Sequence, residues 1–225
     1  MSAIKENIQQ LKSLLTSTPC RLVAISKTKP NEDIMEAYEA GQREFGENKV
    51  QELTTKYESL PQDIQWHMVG HLQRNKVKYI APFVHLIHSI DSVKLLNEVN
   101  KQAEKCNRII DCLLQVHIAE ESTKFGFDLH EITETIQSDE LKGMPHIRII
   151  GLMGMATFTE DENQIKREFT SLHQLFEELK TKDLPKNVTM QELSMGMSSD
   201  YQLALECGST MIRVGSSIFG ERNYV

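Results

Sequence analysis

Two stretches near the C-terminus combine residue types suited to binding an anion. Glu192-Leu193-Ser194-Met195-Gly196-Met197-Ser198-Ser199-Asp200 and Met211-Ile212-Arg213-Val214-Gly215-Ser216-Ser217-Ile218-Phe219-Gly220 each read as an apolar strand that ends in small, hydrogen-bonding residues. Glycine lets a backbone approach a ligand closely, and serine offers a hydroxyl beside its own N–H. A helix after the first run would turn unpaired N–H groups toward an anion at Ser198 and Ser199. Side by side, Ser198, Ser199, Gly215 and Ser216 would form a phosphate cup; the plain alternative is two ordinary strand–loop junctions. Far upstream, Lys27 directly follows Val23-Ala24-Ile25-Ser26. A lysine poorly solvated at a strand end is pushed toward the neutral amine, the form that condenses with an aldehyde. Lys29, beside Pro30, is the competing amine, and an ordinary solvated lysine is the competing explanation. A phosphate cup facing such a lysine suits a phosphorylated aldehyde. Arg213 precedes Gly215 by two residues, so both point to one strand face, where a guanidinium suits a ring nitrogen of the ligand.

These residues need a scaffold, and the chain supplies a regular alternation. An amphipathic helix carries Ile4, Ile8, Leu11 and Leu15 on one face, and Ser17-Thr18-Pro19 breaks it. A strand over 21–26 leads to a loop and a helix capped by Asn31. Strand 43–46, helix 48–57, strand 66–70, helix 74–80 and strand 83–90 follow. Asp91 or Ser92 caps a helix through Leu95, Leu96 and Val99. Strand 109–116, a loop at 120–126, helix 129–136, strand 147–152 and the long helix 163–179 lead to the last two strands, near 188–193 and 211–214, around a helix at 200–206. Near-continuous apolar strands joined by helical crossovers imply a parallel sheet covered on both faces. Eight such units predict a compact (β/α)8 barrel, a single domain over 1–225 with one extra N-terminal helix. A doubly wound open sheet is the alternative, but no G-x-G-x-x-G follows the first strand.

Composition narrows the function. The 225 residues, 40% hydrophobic and 25% charged, are those of an ordinary globular domain. A net charge of −7 opposes non-specific binding to a phosphate backbone, and the short run Arg74-Asn75-Lys76-Val77-Lys78 reads as a solvated helix face. Cys20, Cys106, Cys112 and Cys207 form no C-x-x-C pair, so neither zinc nor disulfides are expected. No signal peptide and no membrane-length apolar run is seen, so the expectation is a soluble cytoplasmic protein without nucleic-acid or membrane partners.

The motifs together point to a family. Ser26-Lys27-Thr28-Lys29-Pro30, Phe45-Gly46-Glu47-Asn48, Gly70-His71-Leu72-Gln73-Arg74-Asn75-Lys76, Leu193 to Asp200 and the closing Ile218-Phe219-Gly220-Glu221-Arg222 stand in order along nearly the whole chain. In these motifs the chain resembles the pyridoxal phosphate homeostasis family, whose fold is that of the alanine racemase N-terminal barrel. The resemblance implies pyridoxal 5′-phosphate as cofactor, held as a Schiff base on Lys27. It implies that Ser198, Ser199, Gly215 and Ser216 hold the phosphate and that Arg213 faces the pyridine nitrogen. Met155 would lie near the ring, where racemases place a histidine, and Asn48 would line the pocket mouth. Lys124-Phe125-Gly126 resembles the segment that supplies a second basic residue near the cofactor. The chain departs from the usual pattern at Lys49, where an aromatic is common, and at His117, where asparagine is usual; both bear on pocket polarity and neither touches the lysine or phosphate motifs.

Several neighbours have plain explanations beside a functional one. His117 ending an apolar strand reads as a hydrogen-bonded core residue, Glu120 and Glu121 as a solvated loop, and Met153 and Met155 as core filler. His71 fits a surface group or a pocket neighbour equally. Two functional classes remain: a carrier that buffers or delivers the cofactor without turnover, and a PLP enzyme such as an amino-acid racemase. Racemisation needs acid/base groups on both faces of the reacting carbon. In the alanine racemase relatives the opposite base sits on an additional β-domain, which the sequence ending at Val225 is not expected to carry. An arginine at the ring nitrogen also weakens the electron sink. The expected protein is therefore a monomeric, non-catalytic carrier, with PLP-dependent apoenzymes or PLP-producing enzymes as partners. A phosphosugar aldolase shares the barrel and the cup but gives Arg213 no role.

Overall fold

The computed structural model describes residues 2–120 and 125–221. Eight parallel strands form a closed barrel in sequence order: β1 (Arg21–Ile25), β2 (Glu44–Glu47), β3 (Gln65–Met68), β4 (Leu86–Ile90), β5 (Ile110–Gln115), β6 (Ile147–Met153), β7 (Val188–Ser194) and β8 (Met211–Val214). Closure is made by β1 against β8, with Val23 opposite Arg213 and Ala24 opposite Val214. The expected (β/α)8 barrel is the observed fold.

Helices α1 (Ala3–Leu15), α2 (Asn31–Glu39), α3 (Val50–Ser59), α4 (Val77–Ile80), α5 (Val93–Lys105), α6 (Leu129–Gln137), α7 (Asp139–Lys142), α8 (Glu162–Lys180), α9 (Tyr201–Glu206) and α10 (Ser216–Phe219) surround the strands. The amphipathic period of α1 buries Ile8, Leu11 and Leu15, as its spacing dictates. The long helix α8 likewise buries Ile165, Phe169, Leu172, Leu175, Phe176 and Leu179. The main core lies between sheet and helices. A second, smaller cluster of Val23, Ile25, Leu86, Leu113, Met153 and Met211 fills the barrel itself. On β1, the inner Val23 and Ile25 alternate with Leu22 and Ala24 of the outer core.

The elements differ from expectation mainly at their edges. Pro30, not Asn31, occupies the N-cap of α2, and its ring offers no capping oxygen; Asn31 is the first helical residue and donates to Ser59 Oγ instead. Ser92 is the cap of α5, accepting from Leu95 N–H. Phe83, Val84 and His85 precede β4 because Phe83 and Val84 N–H close a turn on Ile80 O. The segment from Arg74 is a single 3-10 turn, Arg74–Lys76, that runs into the one-turn helix α4. Part of the expected 120–126 loop lies outside the described residues.

Candidate functional site

Lys27 stands two residues past Ile25, in the turn that follows the strand whose Val23 and Ile25 belong to the barrel's inner cluster. Both of its neighbours are anchored. Ser26 Oγ donates to Glu47 Oε1 at 2.6 Å, and Thr28 N–H donates to Glu52 Oε1 at 2.6 Å. Lys56 joins these anchors, its Nζ donating to Ser26 O at 2.8 Å, Glu47 Oε1 at 2.7 Å and Glu52 Oε1 at 2.8 Å. Thr28 is held at φ 65, a left-handed conformation that a β-branched residue adopts only when its surroundings impose it. The anchors come from β2 and α3, so the Phe45-Gly46-Glu47-Asn48 motif sets the backbone that carries Lys27. Gly46 serves the same corner from inside: a Cβ there would come within 2.6 Å of Ile25 Cδ1.

Lys29 is engaged elsewhere. Its Nζ donates to Phe219 O at 2.8 Å and Glu221 O at 3.1 Å, at the C-terminal end of α10 where a cation is favoured. Asn7 of α1 holds the same helix through Ile218 O at 3.0 Å. The extra N-terminal helix therefore steadies the loop after β8.

That loop and the one after β7 meet. Ser198 Oγ accepts Gly215 N–H at 3.0 Å, so this glycine spends its donor on the neighbouring loop. Gly215 also lies against β1, where a Cβ would stand 3.2 Å from Ile25 O. In α10 the first backbone bonds are made by Ile218 and Phe219 N–H, both to Gly215 O; Ser216 and Ser217 precede them and are exposed. Ser199 is exposed and Ser198 half-buried in the turn ahead of α9. The expected cup residues Ser198, Ser199, Gly215 and Ser216 are thus adjacent, with two serine-bearing turns facing solvent.

Arg213 lies inside the barrel, 4% exposed. Nη1 donates to Ser194 Oγ at 2.6 Å and Nη2 to Gly154 O at 3.0 Å. Burial lowers its pKa to about 10, against the opposing influence of Asp200, which leaves it charged at neutral pH. Met155 lies two residues past Met153, the last residue of β6, and is 41% exposed. Asn48 directly follows β2, half-buried, and its backbone sits where any side chain on Gly70 would have to go.

Residues 1–223 match the family model described as alanine racemase, N-terminal domain. A pyridoxal phosphate homeostasis protein of Pasteurella multocida is 37% identical, covering 100% of this chain and 97% of that protein. PipY of Synechococcus elongatus has been solved without PLP, at TM-score 0.88 and 35% identity, and with PLP bound, at TM-score 0.85 and 34% identity. Each alignment covers 96% of this chain and 100% of PipY. The chain belongs to the pyridoxal phosphate homeostasis protein family.

Within this family member, some expected neighbours are engaged by nearby loops and other site residues were not expected at all. His71 pairs with Asp91 at 3.1 Å on the surface and its ring meets Phe125. His117 N–H donates to Phe127 O, tying the strand end to the loop. Lys124 and Arg222 lie outside the described residues. Sequence reasoning missed Glu47 with Lys56, and it missed the buried His67, His88 and Ser194. The signal for the first pair was the carboxylate in Phe45-Gly46-Glu47-Asn48, flanked by strand residues on a face bound for burial. For the histidines it was the inward parity of His67 and His88 beside apolar partners.

Proposed function

We propose that this chain binds pyridoxal 5′-phosphate at the C-terminal mouth of its barrel, with Lys27 as the amine for the aldehyde, and holds it for buffering or delivery without turnover. The observation that carries the reading is the β1–β8 register. It sets Arg213 opposite Val23, four residues before Lys27 in the chain, with Gly215 packed on Ile25 between them. Four residues of fully extended chain span at most ~13 Å, room for an aromatic ring between amine and guanidinium. The donor set fits the cofactor at each end. Arg213 commits one N–H from each of Nη1 and Nη2 to the protein bonds described, and a guanidinium carries five. The serine turns at Ser198, Ser199 and Ser216 adjoin it at the mouth, with Asn48 and Met155 lining the rim.

Pyridoxal phosphate supplies an aldehyde that condenses with an amine and a ring that withdraws electrons when its nitrogen is protonated. Arg213 donates to a ring nitrogen without giving up its proton at neutral pH, which leaves that withdrawal weak. This supports a carrier, as do the names of the relatives. The reading includes a cytoplasmic, monomeric protein that meets PLP-dependent apoenzymes or PLP-producing enzymes. The match to an alanine racemase domain keeps a racemase as the second reading.

Borohydride reduction of the loaded protein followed by peptide mapping tests the site. The pyridoxyl group is expected on Lys27. Recovery wholly on Lys29 or Lys124 in the unmutated protein refutes the assignment.

A further inference from the structure

The partners of Arg213 lead into a buried chain. Ser194 Oγ, which accepts from Arg213, lies 3.0 Å from His88 Nδ1, and His88 Nε2 lies 2.9 Å from His67 Nδ1. Ser194, His88 and His67 are each 0% exposed, and all lie on the inward faces of β7, β4 and β3. Burial holds His67 well below the usual imidazole value, with His85 and Arg21 adding to it; burial holds His88 down as well, followed by His67 and Arg213. Both rings are therefore neutral at neutral pH. Asp200, the acid that acts on Arg213, is itself bonded to Met197 N–H, so the described bonds of the guanidinium go to a hydroxyl and a carbonyl rather than to a carboxylate.

The available protons fix the direction of the chain. Arg213 only donates, so Ser194 Oγ accepts from it. If the Ser194 hydroxyl donates to His88 Nδ1, His88 carries its proton on Nε2 and donates to His67 Nδ1. One group then ends unpaired, His67 Nε2–H, which is the buried atom without a partner. In the reverse direction His88 Nδ1–H donates to Ser194, and two groups go unmet: the serine proton and the lone pair of His67 Nε2. The first arrangement leaves fewer buried groups unsatisfied, and each costs free energy.

We infer that His88 is a positioning residue for Arg213, acting through Ser194. As the acceptor for the serine proton, His88 keeps the Oγ lone pair turned toward Nη1, and His67 fixes His88 in the Nε2–H tautomer. The guanidinium is thereby held by a hydroxyl and a carbonyl, with no carboxylate among its described hydrogen-bond partners to draw it away. This rests on the reading of Arg213 as the partner of a cofactor ring nitrogen.

Two replacements of His88 separate positioning from packing. Asn carries an acceptor near the place of Nδ1, whereas Leu fills the apolar volume and accepts nothing. His88→Asn should bind PLP within about threefold of the unmutated protein, and His88→Leu about tenfold or more weakly, the scale of one hydrogen bond to a charged group. Binding of PLP by His88→Leu as tight as in the unmutated protein, or equal weakening in both variants, overturns the proposal. Long-range 1H–15N spectra of the cofactor-free protein give an independent reading that needs no variant. They should show the His88 proton on Nε2, and a proton on Nδ1 overturns the proposal whatever the variants do. Absence of PLP uptake by the unmutated protein would sink the cofactor reading, and with it the role of Arg213, while the tautomer would still report whether the chain runs as described.

Discussion

Lys56 and Glu47 are a buried ion pair, with side chains 6% and 0% exposed and a separation of 2.7 Å. Removing one charge of such a pair leaves the other desolvated, which costs about 3–5 kcal/mol, more than the pair itself contributes. Glu47 Oε2 already lacks a partner, so little else would compensate the carboxylate. Burial raises the Glu47 pKa, while Lys56 and Ser26 oppose the rise. The folded protein therefore binds this proton more readily than the unfolded chain. The stability linked to it is full below the ordinary carboxylate range and is lost as pH rises through the raised folded value. Lys56→Met removes the largest opposing influence and raises that value further. Urea denaturation should show the largest destabilisation near pH 8 and a smaller one near pH 5, with Glu47→Gln in the Lys56→Met background restoring part of the loss. A loss independent of pH would mean that Lys56 acts through packing alone. Lys27 and Arg213 were legible because each adjoins a strand end in its own segment. The Lys56–Glu47 pair was not, since it forms only once β2 and α3 are docked, and a lone glutamate or lysine carries no mark of its partner.

Among the elements, the two turns after β7 and β8 are bound to each other through Ser198 and Gly215, and α10 is braced by Asn7 and Lys29. A phosphate there would take hydroxyl donors from both turns at once. Hydrogen bonds to a charged group contribute about 1.5–3 kcal/mol each, so Ser198→Ala with Ser199→Ala should weaken PLP binding strongly. Pyridoxal lacks the phosphate, and its affinity should change little. Fluorescence titration with both ligands measures the difference; equal losses would place the phosphate elsewhere and assign the serines to loop integrity. Asn7→Ala, which releases one brace of α10, should weaken PLP binding less than the double serine change while leaving the barrel's thermal transition nearly in place. The long elements were readable from their period, as in α1 and α8. Two short helices, α7 and α10, were not, because four residues make barely one turn and present no apolar repeat. The Pro30 cap was hidden for a different reason: Asn31 is the better capping residue in isolation, but its side chain is drawn to Ser59 on α3.

At the scale of the whole molecule, closure of the barrel brings β8 beside β1, so that residues nearly two hundred positions apart, Val23 and Arg213, stand opposite each other, and the proposed site rests on that pairing. Eight apolar strands alternating with helices announced the barrel, whereas the filling of its interior did not show in the sequence. His67 and His88 occupy inward positions that the alternation reserves for apolar side chains, and only the register reveals that they meet Ser194. A fold shared with racemases leaves open what the molecule does with a bound cofactor, so chemistry must decide. A catalyst of racemisation needs a strong electron sink and proton donors and acceptors on both faces of the reacting carbon. Facing a ring nitrogen as proposed, Arg213, still protonated at neutral pH, would deny the first by leaving that nitrogen unprotonated. Lys27 supplies one proton-transfer group at most. Amino acids mixed with the loaded protein should therefore displace the cofactor's absorption slowly, with exchange of the α-proton into deuterated solvent weak and racemase, transaminase and decarboxylase turnover negligible. Loss of the gene should instead disturb the cellular pools of PLP and amino acids. Multiple racemase turnovers on a common amino acid, abolished by Lys27→Ala, would overturn the carrier and establish an enzyme.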